Sequence, residues 1–372
     1  MVEFDEFGPE KILEVYDHKT GMHGFTVIDN TNRGPGKGGI RMTPTVSIDE
    51  VARLARAMTW KNAIAALPFG GAKSGIIATQ DQINDTKKKH EIIAAFSKAI
   101  KSICPSKYIA GPDINTTEKD MEVFAKANGS LRSATGKPVN LCVKSGVKCG
   151  IPHEFGSTGF GVYHATLIAA EHYGMNIIGT SVAIEGFGNV GTFTAEYLSM
   201  KKAKIVAVSD SKGTIYNENG LDYKKLMQVK NKTGSVINYK PGKILGSKII
   251  HELDVDILIP GALPDVINQD NVDKVKAKII VEAANIPIKT EFEERLHNKG
   301  ILIVPDIVAN AGGVISSYAE YRGFNPKKMF EIVEKKIIKN TRIVLDRAKK
   351  DGTTTRDAAL AIAMERVKAK MK

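Results

Sequence analysis

A chain of 372 residues is longer than one compact hydrophobic core usually supports, so two domains are expected. With 42% hydrophobic and 25% charged residues it has an ordinary globular composition, and no apolar run is long enough to span a bilayer. The net charge of +12 raises nucleic acid as a partner, but residues 324–372 hold 14 Lys and Arg against 6 Asp and Glu, interspersed and without an aromatic ladder, which reads as a solvated helical face.

The N-terminus, Met1-Val-Glu-Phe-Asp-Glu6, lacks the pattern of a secretory leader. Three cysteines (Cys104, Cys142, Cys149) are too few and too irregular for a disulfide framework or a zinc site, so free thiols in a reducing cytoplasm and no metal are expected. Up to about residue 150, strand-like runs (Phe25–Ile28, Tyr108–Ala110) mix with helices near 49–66, 87–103 and 117–128. Val51, Leu54, Met58 and Lys61 form a stripe on the first of these helices, which puts a lysine on the face expected to be buried. Two glycine-rich segments, Gly34-Pro-Gly-Lys-Gly-Gly-Ile-Arg41 and Pro68-Phe-Gly-Gly-Ala-Lys-Ser-Gly75, carry Lys37 and Lys73 on backbone that can approach a ligand closely. A cleft that collects lysines suits carboxylates and can press one lysine to release its proton.

The stretch 141–161, rich in glycine, reads as a long connecting loop, and His153 within it as structural. A helix at 162–173 then leads to Val182–Glu185, a helix from about Val190, and Ile205–Val208. Later apolar runs at Ile257–Ile259, Ile279–Val281 and Ile301–Val304 alternate with helical segments, the rhythm of a parallel sheet with helices on both faces. The C-terminal residues read as two amphipathic helices. The first turns Met329, Val333, Ile337 and Val344 inward and stops at Gly352, and the second is capped by Thr354 to Asp357.

Gly186-Phe187-Gly188-Asn189-Val190-Gly191 follows a strand and opens a helix, the context in which such a turn holds a dinucleotide pyrophosphate on helix N–H groups. Asp210 stands about twenty residues on, where an acid can accept the ribose 2′-hydroxyl of NAD. Ser211 and Lys212 beside it offer a hydroxyl and a cation to a 2′-phosphate, so NAD and NADP are equally tenable. Neither Lys37 nor Lys73 lies in a P-loop frame, which excludes ATP at those loops.

Together these motifs resemble the glutamate/leucine/phenylalanine/valine dehydrogenases over nearly the whole length. The matching stretches are Gly34 to Met42, Met58-Thr-Trp-Lys-Asn62, Leu67 to Lys73, Tyr108-Ile-Ala-Gly-Pro-Asp113, the dinucleotide turn, and Asn310-Ala-Gly-Gly-Val314. The resemblance implies two α/β domains with a cleft between them. Residues 1–150, rejoined by a C-terminal helix at 335–372, would be a substrate-binding and oligomerisation domain, and 151–334 a Rossmann dinucleotide-binding domain. It implies a homo-oligomer, hexamer first and octamer or dimer as alternatives, acting in the cytoplasm without nucleic acid or membrane.

The implied reaction is reversible oxidative deamination of an L-amino acid to a 2-oxo acid and ammonium. By the family pattern Lys61 holds the α-carboxylate, Lys73 is the catalytic lysine, its pKa lowered by neighbouring cations, and Asp113 moves protons to and from the amine. Gly38, Gly39, Gly111, Asn310 and Val314 would line the substrate, and Thr158, Ala284 and Asn285 the nucleotide. Lys37 and Ser317 match the positions that meet the end of the substrate side chain. A lysine and a serine there imply L-glutamate and 2-oxoglutarate. An enzyme for leucine, valine or phenylalanine is the alternative, and a non-catalytic nucleotide-sensing subunit a remote one.

Overall fold

The computed structural model describes residues 2–144 and 147–371, and it divides into two units. One comprises Met1–Phe155, Val314–Ile332 and Ile362–Lys372, and the other Gly156–Gly313 and Val333–Ala361. In the first lie strands β1 (Lys11–Asp17), β2 (Met22–Asn30), β3 (Gly36–Lys37), β4 (Ile40–Thr43), β5 (Gly70–Ile77), β6 (Tyr108–Ile109), β7 (Cys142–Lys144) and β8 (Val147–Cys149), with helices α1 (Ile48–Ile64), α2 (Gln80–Asn84), α3 (Thr86–Ala99) and α4 (Glu118–Asn128). The main sheet has the order β1-β2-β5-β3-β6, with β4 also on β5. Alternation along β2 sends Val27 to one face, with Val51 and Ala55 of α1, and Ile28 to the other, with Phe96 of α3 and Phe124 of α4. Local chemistry sets the helix ends. Ser47 caps α1, Thr117 and Asp120 form a reciprocal capping box on α4, and Gly129 ends α4 in a left-handed conformation.

The stripe expected on α1 is displaced by one residue. Val51, Ala55, Thr59 and Asn62 are buried, whereas Leu54, Met58 and Lys61 are half-buried. The cause is close packing on β5: a side-chain carbon at Gly71 would stand 2.0 Å from Thr59 Oγ1 and 2.5 Å from Ala55 O. Small residues win the buried face because the helix rests directly on a glycine backbone. The connecting loop is also shorter than expected, since β7 and β8 form a hairpin and the next helix begins at Ser157. Cys142 and Cys149 face each other across that hairpin and are joined by a disulfide, against the expectation of free thiols. A spacing of seven residues becomes bonding distance only once the chain reverses between them. Cys104 is the buried free thiol expected. The side chain of His153 lies outside the described residues.

The second unit contains helices α5 (Ser157–Tyr173), α6 (Asn189–Met200), α7 (Tyr223–Thr233), α8 (Thr290–Asn298) and α9 (Asp306–Ala309). Its strands are β9 (Ser181–Glu185), β10 (Lys204–Asp210), β11 (Gly213–Tyr216), β12 (Lys243–Leu245), β13 (Ile257–Pro260), β14 (Ile279–Val281) and β15 (Leu302–Val304). They form one sheet in the order β12-β11-β10-β9-β13-β14-β15, parallel from β10 to β15 and extended by antiparallel β11 and β12. The chain runs outward from β9 through β10, then crosses back to β13. The order therefore reverses beside β9, and the carboxyl ends of the strands around that point are the natural ligand crevice.

Helices α10 (Gly312–Arg322), α11 (Pro326–Asp351) and α12 (Thr355–Lys368) contribute residues to both units. Met329, Val333, Ile337 and Val344 of α11 are buried as expected. The C-terminal segment differs from a simple return of 335–372 to the first unit, because Val333–Ala361 clusters with the second and only Ile362–Lys372 with the first. Arg356 is held there by Glu282, Glu293 and Asp306, whereas Arg366 donates to Ala63 O and Ile64 O at the end of α1. Among the described residues no helix is long and apolar enough to cross a membrane.

Candidate active site

Three neighbouring strands of the first unit converge their functional residues. Lys37 on β3 pairs in register with Gly71 of β5 and Ile109 of β6. Lys73 lies two residues further along β5, and Asp113 follows β6 at the same end. Lys73 Nζ stands 2.9 Å from Asp113 Oδ2 and is almost wholly buried. Arg41, on β4 beside β5, donates from Nε to the same oxygen at 3.0 Å and from Nη1 to Glu50 Oε1 at 2.6 Å. Gly38 and Gly39 let this loop lie against β5 and Asp113, since side-chain carbons there would fall 1.6 Å from Ala72 O and 2.8 Å from Asp113 Cβ.

Burial lowers the pKa of Lys73 and outweighs the opposing attraction of Asp113, with Arg41 adding a smaller push in the same direction. The expected cause, neighbouring cations, is thus the lesser one. Burial alone would raise the Asp113 carboxyl, but Lys73 and Arg41 together hold it below the usual carboxylate range. The pair is therefore a buried ammonium that gives up its proton readily, beside a carboxylate held in its ionised form.

Lys37 is buried and donates to Ala110 O at 3.0 Å. Burial pushes its pKa down to about 7, against the attraction of Glu320. Glu320, one helical turn beyond Ser317 on α10, has its carboxylate filled by Lys137 Nζ, Gly136 N and Ile151 N. Among the described residues Lys37 is in no ion pair, and Thr135 Oγ1 nearby is buried without a hydrogen-bond partner. Gly111 makes room for this arrangement, because a side-chain carbon there would come 2.6 Å from Lys37 Nζ. Ser317 and Val314 are half-buried on α10, and Lys61 is half-buried in the last turn of α1. Asn62 beside it donates to Gly70 O at 2.7 Å, joining the end of α1 to β5.

In the second unit the dinucleotide turn stands at the carboxyl end of β9. Gly186 has φ +85°, and a side-chain carbon at Gly191 would come 1.9 Å from Gly186 O, so both are needed for the turn itself. Gly188 is different: a carbon there would meet nothing within 4 Å. That open space, at the start of α6 where Gly188 provides no side-chain cap, fits a pyrophosphate on the N–H groups of Asn189, Val190 and Gly191. Phe187 is buried beneath the turn, with Lys230 Nζ 5.0 Å from its ring centroid.

Asp210 ends β10, but its carboxylate already accepts from Ser235 Oγ, Val236 N and Lys212 N. Burial would raise its carboxyl, and these hydrogen bonds hold it below the ordinary value instead. Ser211 and Lys212 are exposed beside it. At the neighbouring strand ends, Asn310 Nδ2 donates to Ala283 O, Ala284 O and Asn285 Oδ1, while its buried Oδ1 has no hydrogen-bond partner among the described residues. An orphaned acceptor of this kind suits an amide or amine brought by a ligand. Thr158 lies in the first turn of α5, where Gly312 packs so closely that a side-chain carbon would reach 3.0 Å from Thr158 Cα.

Several residues of these sites escaped the sequence reading. Arg41 and Asn62 lie inside recognised motifs, which was a usable signal. Thr135, Glu320 and Lys230 carry no local sign.

The family model described as Glutamate/Leucine/Phenylalanine/Valine dehydrogenase matches residues 149–372, and that described as Glu/Leu/Phe/Val dehydrogenase, dimerisation domain, matches residues 9–129. The glutamate dehydrogenase of Aeropyrum pernix is 39% identical over 360 residues, covering 92% of this chain and 84% of its own. The NADP-specific glutamate dehydrogenase of Saccharolobus shibatae is 39% identical over 327 residues, covering 84% of this chain and 75% of its own. Among solved structures, the hetero-hexameric glutamate dehydrogenase of Thermus thermophilus in its Leu-bound form aligns with a TM-score of 0.84 at 27% identity, covering 98% of this chain and 89% of that one.

Proposed function

The chain belongs to the glutamate/leucine/phenylalanine/valine dehydrogenase family, and from that premise we propose that it catalyses the reversible oxidative deamination of L-glutamate to 2-oxoglutarate and ammonium. It is an NAD(P)-dependent oxidoreductase with an N-terminal dimerisation domain and a C-terminal Rossmann-like domain. The observation that carries glutamate is Lys37, a buried ammonium whose hydrogen bond goes to a carbonyl, while Glu320, the carboxylate that attracts it, is already filled. A buried cation without a bonded anion is costly, and a substrate side-chain carboxylate would complete it, with Ser317 alongside.

In this reading Lys61 takes the α-carboxylate. Lys73, losing its proton easily because it is buried, activates water and stabilises the oxygen that develops on the carbinolamine. Asp113, ionised and 2.9 Å from Lys73, exchanges protons with the substrate amine. The bound nicotinamide supplies the hydride acceptor. Gly186 to Gly191, the loop after β14 carrying Ala284 and Asn285, Asn310 at the end of α9 and Thr158 at the start of α5 hold the dinucleotide, with Asp210, Ser211, Lys212 and Lys230 at its ribose end.

Gly111 favours a second reading. It lets Lys37 draw back against Ala110 O, and a lysine near neutrality in that position leaves room for an apolar side chain. The substrate would then be leucine, valine or phenylalanine. Initial rates with L-glutamate, L-leucine, L-valine and L-phenylalanine, each with NAD and with NADP, decide between them. Turnover of glutamate above the other three is expected, and turnover of apolar amino acids alone would reassign the pocket.

A homo-oligomer, hexameric first, belongs to the same proposal. It is supported by the dimerisation-domain match and by β1, an edge strand open to a partner, and light scattering measures it. A cytoplasmic location is proposed with it, and the Cys142–Cys149 disulfide is the feature that speaks against a reducing compartment.

A further inference from the structure

Behind the loop 283–286 lies a buried charge cluster that the reaction does not use directly. Arg356, near the start of α12, donates from Nε to Glu293 Oε1 (2.6 Å), from Nη1 to Asp306 Oδ1 (2.8 Å) and from Nη2 to Glu282 Oε2 (2.6 Å). Glu282, Glu293 and Asp306 are almost wholly buried, so three carboxyl groups share one guanidinium. Burial raises the Glu282 carboxyl well above its ordinary value. Three buried acceptors on one guanidinium leave Arg356 no freedom to turn elsewhere.

Its outward link is Asp306. The second carboxylate oxygen of Asp306 accepts from Ile286 N at 3.1 Å, while Asp306 N donates to Glu282 Oε2 at 2.8 Å. Ile286 has φ +49°, a left-handed conformation that a β-branched residue adopts only under constraint, and its side chain is largely exposed, so its own packing does not impose it. The other end of the loop is fastened by Ala283 N and Ala284 N on Pro260 O and by Asn310 on Ala283 O and Ala284 O. Asn285 stands between these two anchors.

We propose that Arg356 and Asp306 are positioning residues for the nucleotide: together they hold Ile286 in its strained backbone conformation and so aim Asn285 and Ala284 at the nicotinamide end. This rests on the assignment of that loop to the dinucleotide, made above. It gives α12, far along the chain from the glycine turn, a role in cofactor binding.

The test measures dissociation constants of NADPH and NADH by their fluorescence, without amino acid, alongside thermal midpoints and the KM and kcat for both substrates. Asp306→Asn and Arg356→Lys in the full chain are expected to weaken nucleotide binding by about tenfold and to leave the KM for glutamate within about twofold. Ile286→Gly removes the strain, so adding it to Asp306→Asn is expected to recover part of the lost affinity, to about threefold weaker than wild type. Should the charge variants fail to fold, Ile286→Gly alone is expected to loosen the loop and raise the dissociation constant about threefold without lowering the thermal midpoint. Unchanged nucleotide affinity in every folded variant, or no recovery by Ile286→Gly, would reduce the cluster to scaffolding and overturn the proposal. A wild-type protein that binds nucleotide but does not turn over glutamate would refute the substrate reading alone.

Discussion

Burial makes Lys37 a weak base, because its ammonium loses hydration that Glu320 only partly replaces. A bound side-chain carboxylate opposes that loss, so glutamate takes up a proton on binding wherever the free lysine is neutral. Below about pH 7 Lys37 is already charged and affinity for glutamate is flat; above it, the KM for L-glutamate is expected to rise by up to about tenfold per pH unit. The KM for norvaline, which has the same α-carboxylate and amine but no side-chain charge, is expected to lack that component. Initial rates for the two amino acids across neutral pH check this, and parallel profiles would remove Lys37 from the side-chain pocket. Lys37→Leu is expected to erase the difference and move preference toward branched-chain or norleucine-like substrates. The glycine-rich frame announces Lys37 in the sequence. Its surroundings are not announced, since the Lys137–Glu320 pair beside it joins residues 183 apart.

At the scale of elements, two glycines of one turn are expected to fail differently. Gly191→Ala places a carbon against Gly186 O, a backbone atom that cannot swing away, so a loss of about 1–3 kcal/mol is expected. Thermal melting reads it as a drop of about 2–4 °C per kcal/mol. Gly188→Ala meets only open space, so its melting temperature is expected to hold while nucleotide affinity falls about tenfold or more. Equal affinity in Gly188→Ala and wild type would move the pyrophosphate off this turn. Strand, turn and helix were all legible here, because the signal is local and each glycine has a local reason. The stripe on α1 was not, because Ala55 and Thr59 owe their burial to Gly71 on another element rather than to hydrophobicity. The hairpin that joins Cys142 to Cys149 escaped for a similar reason: pairing of strands as short as β7 and β8 leaves little periodic pattern.

For the whole molecule, the separation into two units makes chemistry and nucleotide binding dissectable. Lys73 and Asp113 belong to the first unit, and the glycine turn with Asp210, Asn285 and Asn310 to the second, each around its own core. Lys73→Ala and Asp113→Asn are therefore expected to keep the fold and the nucleotide dissociation constant while kcat falls about 10²–10⁴-fold. Near-wild-type turnover in either variant would sink the assignment of the pair. The sequence by itself determined the family and the alternation of strand and helix, and it marked the glycine turn and the lysines with Asp113 as candidates, because each rests on residues close together in the chain or on motifs in a set order. Only the tertiary structure decided what tunes them: that burial more than cationic neighbours lowers the Lys73 pKa, that Asp210 spends its oxygens on the loop at 235–236, and that Arg356 reaches back to Glu282, Glu293 and Asp306. Desolvation and long-range pairing are properties of the space around a residue, and that space is assembled only when distant segments pack.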